Sequence, residues 1–202
     1  MVEYICGKLW RNQAMTYRFM FKGYYNDKDY TYVENSKAEQ VSVSVFEDMM
    51  FLYFEAHEEY VDPETVVKCN LKEFPDGSRW ERMTEVFHYC DILSDEQWKR
   101  KVSDKKPMIR VNYLNYDKIA SYIFYHYQYQ EKTPCDGDKY GVIFLTGNLL
   151  VFYMETPQEL QEPKFEPNML PGEVPECEWQ ALMDKHFLQT PKYDSWHKID
   201  VL

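Results

Sequence analysis

The chain has 202 residues, with 34 acidic against 23 basic side chains for a formal net charge of −11, and it is 45% hydrophobic and 17% aromatic. That acidity excludes binding to a nucleic-acid backbone or an anionic membrane surface, since both rely on lysine and arginine to meet phosphate. The apolar content is that of one large or two small folded domains, and the 18 tyrosines suit a wet, aromatic-lined cavity.

Residues 1–14 read as an N-terminal strand or arm. Their start, MVEYICGKLW, has no basic head followed by an apolar stretch, and no apolar run in the chain approaches membrane-spanning length. Five cysteines (Cys6, Cys69, Cys90, Cys135, Cys177) are widely spaced without a C-x-x-C pair, which reads as reduced thiols in a cytoplasmic protein.

From residue 15 onward the chain resembles itself. VSVSVFEDMMFLYFE ends at Glu55 and GVIFLTGNLLVFYME ends at Glu155, a displacement of 100 that aligns Val43 with Ile143, Met50 with Leu150 and Tyr53 with Tyr153. Each copy predicts two strands around a two-residue turn, Glu47-Asp48 in the first and Gly147-Asn148 in the second. Upstream, Tyr17–Phe21 matches Ile109–Tyr113 at a displacement of 92, which aligns Arg18 with Arg110. Downstream, Trp80 and Met83 match Trp179 and Met183, and Trp98 matches Trp196. A short helix is expected at each tryptophan–methionine block, and the proline-containing crossings 62–79 and 156–178 are expected to run extended over the surface.

Between the first strand and the hairpin, the second copy predicts a helix with Ile119, Tyr122, Ile123, His126 and Gln130 on one stripe and Asp117 near its start. The growing displacement leaves the first copy a helix eight residues shorter. Residues 99–107 (KRKVSDKKP) form a charged link between the copies. The fold class is therefore α+β: tandem ferredoxin-like repeats, 15–106 and 107–202, whose antiparallel sheets form an intrachain α/β barrel around one small-molecule pocket.

Tyr122 and His126 are four residues apart, so their side chains share a helix face one turn apart, a phenol beside an imidazole that titrates near neutrality. Arg18 and Arg110 alternate with apolar strand neighbours and are expected to face the enclosed space, either holding a ligand or pairing with Glu55 and Glu155. Tyr30 aligns with Tyr122 at the displacement of 92, and Tyr153 lies on the hairpin near Glu155. The run Phe87-His88-Tyr89-Cys90-Asp91 lacks a second cluster at ligand spacing and is read as no metal site. No nucleotide-binding glycine motif or hydrolase motif occurs, and no cofactor is expected.

The stretch N-x-D-x-x-x-x-Y-x-x-x-H (Asn115, Asp117, Tyr122, His126), followed by a hairpin whose second strand opens Asn148-Leu149-Leu150-Val151-Phe152, resembles the L-rhamnose mutarotase family over residues 109–155. The resemblance implies a ferredoxin-like α/β barrel that interconverts sugar anomers, with His126 and Tyr122 as proton-transfer residues and Trp179 on the helix that lines the sugar site. That helix carries a tryptophan pair in the family, whereas here Trp179 is followed by Met183, His186 and Phe187. The expectation is a cofactor-free isomerase for a sugar or similar polyhydroxylated molecule, acting as a monomer or homodimer. The alternatives are a non-catalytic small-molecule-binding barrel and a monooxygenase or haem-type member of the same fold.

Overall fold

The computed structural model describes residues 15–34, 36–162, 178–188, 190 and 195–202. The protein is α+β, a mostly antiparallel sheet curled into a half-barrel with few helices. The first half runs β1 (Tyr17–Tyr32), β2 (Glu39–Phe46), β3 (Met49–Ala56), β4 (Val67–Leu71), β5 (Glu81–Arg82), β6 (Thr84–His88) and the one-turn helix α1 (Asp95–Trp98). The second half runs β7 (Lys106–Tyr113), α2 (Ile119–Lys132), β8 (Val142–Thr146), β9 (Leu149–Thr156), α3 (Trp179–Asp184) and β10 (His197–Val201). Among the described residues, no helix is long and apolar enough to cross a membrane.

Strands lie in the order β4-β1-β3-β2-β10-β7-β9-β8-β6, so β1-β3-β2 and β7-β9-β8 repeat one order, and β10 pairs with both β2 and β7. β5 pairs with β1, while β6, one residue further along, pairs with β8. The two-residue turns fall at Glu47-Asp48 and Gly147-Asn148, and the first residue of each has a φ of +55°. Glycine takes that conformation freely, whereas a glutamate pays for its Cβ. Glu47→Gly should therefore raise stability by roughly 0.5–1 kcal/mol in urea unfolding.

Three expectations are corrected. Among the described residues no helix stands between β1 and β2: the β-forming Tyr30-Thr31-Tyr32 continue β1, paired with Cys69, Lys68 and Val67 of β4. The block at Trp80–Met83 holds the two-residue strand β5, not a short helix; its counterpart, α3, is helical. Arg18 and Arg110 are also not equivalent. Met20 lies opposite Tyr53 and Ile109 opposite Tyr153, so the first strands correspond at a displacement of 89, not 92. An error of three, being odd, reverses the face to which a side chain belongs.

Met20, Phe51 and Tyr53 of the first half pack against Ile109, Val151 and Tyr153 of the second, so among the described residues the middle of the concave side is a packed core, with a cavity of about 300 Å³ left at its rim beside Arg18, Met83 and Phe144. The outer face of the first half (Phe19, Phe21, Phe54) is covered by Val61, Val66, Val67, Leu71 and Trp80 of the crossing. On the second half, Tyr122 of α2 and Met183 of α3 cover the corresponding face over Ile143 and Leu150.

A buried charge cluster joins the halves. Arg100 donates to both oxygens of Glu55 at 2.6 and 2.7 Å and to Glu155 at 2.6 Å. Tyr53 Oη and Trp98 Nε1 donate to Glu55, each at 2.9 Å, and Tyr153 Oη donates to Glu155 at 3.0 Å. The Tyr53 and Tyr153 rings stack with centroids 3.6 Å apart, and the guanidinium lies 4.0 Å from the Tyr140 centroid. Burial opposes the Arg100 charge, but the hydrogen bonds to Glu55 and Glu155 outweigh it and hold its pKa above the ordinary arginine value. The partner expected of Arg18 or Arg110 thus comes from the link.

Removing the cation alone strands two buried carboxylates. Arg100→Met should cost about 3–5 kcal/mol in urea unfolding, and adding Glu55→Gln and Glu155→Gln should recover most of that loss.

Candidate functional site

The second half's outer face is not fully covered. Between α2, α3 and the sheet lies a cavity of about 310 Å³, at the lower end of the range for small-molecule clefts. The helix contributes Tyr122, His126 and Tyr129, the sheet Arg110, Ile143 and Phe152, and β6 with its continuation Phe87 and Tyr89. Trp179, Gln180 and Met183 of α3, together with Phe187 and Trp196, complete the wall.

Helical spacing brings Tyr122 and His126 together with ring centroids 4.0 Å apart, and Trp179 stands edge-on to His126 at 5.1 Å. His126 is 7% exposed. Its Nδ1 lies 2.9 Å from the Tyr122 carbonyl oxygen, which only accepts, so Nδ1 carries the proton. Burial pushes its pKa down to about 4, outweighing the support from that carbonyl. At neutral pH the ring is uncharged and Nε2 presents a lone pair, with no hydrogen-bond partner among the described residues. Burial likewise pushes the Tyr122 phenol well above its ordinary value, which keeps it a donor. Tyr89 is raised by burial and by Asp136, with Arg110 acting in the opposite direction.

Of the residues expected at the site, His126, Tyr122, Arg110 and Trp179 converge on this cavity. The other three do not. Arg18 faces the concave side, paired with Glu85 at 2.6 Å and 5.5 Å from the Trp98 ring, at the edge of a separate cavity of about 300 Å³. Tyr153 is a core residue stacked on Tyr53, because its strand parity is opposite to that of Phe152. Tyr30, on a strand and not a helix, lines a shallow groove with Lys68 and Asn70. His88 is engaged on both ring nitrogens, Nδ1 with Glu85 at 2.7 Å and Nε2 with Asp91 at 2.8 Å.

Sequence reasoning missed Tyr89, Phe152, Tyr129 and Trp196. Tyr129 follows His126 by three residues, which is a same-face spacing, and Phe152 lies directly opposite Arg110 on β9. Trp196 was matched to Trp98, yet Trp98 is buried in the core whereas Trp196 lines the cavity with Trp179. The cavity therefore has two tryptophans without an adjacent pair.

No family model, curated protein or solved structure matches the chain. The chemistry of the site accordingly rests on its own geometry.

Because His126 binds its proton less well folded than unfolded, its contribution to stability is full above pH 6.5 and is lost as the pH falls toward about 4. The difference is of the order of 3 kcal/mol. His88 runs the other way: Asp91 and Glu85 overcome the effect of burial and raise its pKa, so its contribution is full below 6.5 and lost as the pH rises through the folded value. Urea unfolding of His126→Gln against the parent at pH 4–7 isolates the first effect. The variant should lose less stability on acidification.

Proposed function

We propose that the protein is a cofactor-free isomerase that interconverts the anomers of a monosaccharide-sized, polyhydroxylated ligand in the cavity between α2 and α3. The observation that carries this reading is the fixed tautomer of His126, whose Nε2 is left as an acceptor beside the Tyr122 phenol in an aromatic wall. Anomer exchange needs one group to take the proton of the anomeric hydroxyl and another to deliver a proton to the ring oxygen as the ring C–O bond breaks. In this reading His126 Nε2 takes the first and Tyr122 Oη gives the second. Both groups start neutral, and the transfers reverse when the ring recloses on the other face of the aldehyde. Trp179 and Trp196 supply flat apolar surfaces for the sugar ring.

The same reading takes the like-ordered halves as tandem ferredoxin-like repeats, closed by residues 81–88 into an intrachain α/β barrel, in a cytoplasmic monomer or homodimer. Non-catalytic binding of the same ligand class is the second reading, and it is favoured by the low pKa of His126, which makes it a weak base.

Exchange spectroscopy between the α and β anomer signals of a monosaccharide panel separates the two. Catalysis predicts accelerated exchange with at least one sugar and a fall of roughly a hundredfold or more in His126→Gln, with folding retained. Binding without faster exchange would favour the second reading.

A further inference from the structure

Arg110 is set by β7 into the wall of the cavity, directly opposite Phe152. The only hydrogen-bond contact of its side chain among the described residues is the Met108 sulfur, at 3.9 Å. Three described arginines are not exposed, and two of them meet carboxylates: Arg18 meets Glu85, and Arg100 meets Glu55 and Glu155. Arg110 has no carboxylate within ion-pair distance among the described residues, and no acidic side chain lines the cavity.

A guanidinium presents N–H donors in a planar fork that fits the two oxygens of a carboxylate. Partial burial among aromatic rings costs the cation hydration, and a bound anion offsets that cost. The chain's net charge of −11 repels anions at long range, so an anion is held only where a local cation meets it.

We infer that the ligand of this cavity carries a carboxylate gripped by Arg110, with its ring against the tryptophans. Resting on the proposed function, this makes the substrate class a sugar acid such as a hexuronate, not a neutral hexose. Arg110 is then the residue that sets specificity, while His126 and Tyr122 act at the anomeric end.

The test is titration calorimetry of the full chain with two matched pairs, D-glucuronate against D-glucose and D-galacturonate against D-galactose, and with benzoate as a carboxylate on a ring without hydroxyls. At least one uronate should bind roughly tenfold or more tightly than its neutral partner, and Arg110→Met should abolish the difference. Arg110→Lys keeps the charge but loses the fork, and should weaken the uronate at least about threefold; it decides the matter if the methionine variant fails to fold. Equal binding of neutral and acidic sugars, or uronate binding that survives substitution of Arg110, would overturn the carboxylate inference and leave the proposed function standing. Benzoate held through Arg110 with no uronate bound would support the carboxylate site and overturn the sugar reading. Binding of none of the five probes would overturn both.

Discussion

Two buried carboxylates, Glu55 and Glu155, end equivalent strands of the two hairpins and share one guanidinium, that of Arg100. Two anions around one cation are tolerable in a core only if the remaining oxygens find donors, and Tyr53, Tyr153 and Trp98 provide them. Those donors are themselves core rings, so meeting the charge requirement also packs the concave side of the sheet. Once Tyr53 stacks on Tyr153 and Trp98 closes over Glu55, the space around the charge cluster is filled.

The cavity that holds His126 lies instead on an outer face, and the two halves offer different ones. In the first, β1 runs on to Tyr32 and leaves no room for a helix like α2 before β2, and the crossing with β4 covers the sheet instead. In the second, α2 and α3 cover the sheet through Tyr122 and Met183 but leave between them a gap lined by aromatic rings. Like-ordered strands thus support one packed face and one cavity, and the chemistry-bearing side chains gather on the second.

Much of this was legible in the sequence. The hairpins declared themselves because β-rich runs, a two-residue turn and a displacement of 100 agree, and Tyr122 with His126 because four residues make one helical turn. The register of the first strands was not legible. Matching the arginines was attractive, but pairing is decided by which residues fill the core opposite Tyr53 and Tyr153, and that criterion aligns Arg110 with Phe21. Arg100 was hidden for a different reason. In a run of lysines and arginines it looks like a solvated link, and its partners are 45 and 55 residues distant, beyond any local pattern. Trp196 was obscured by its match in the sequence to Trp98, which lies in different surroundings.

The central claim is that a ligand binds on the outer face beneath α2 and α3 while the concave side stays closed. Indole N–H signals report on this directly, since Trp179 and Trp196 line the cavity whereas Trp98 lies in the core with its N–H on Glu55. In a nitrogen-15 correlation spectrum titrated with D-glucuronate, the account predicts that the Trp179 and Trp196 indole signals move together and that Trp98 stays in place. A titration that shifts Trp98 and leaves Trp179 and Trp196 unmoved would put the ligand inside the curled sheet and contradict the account.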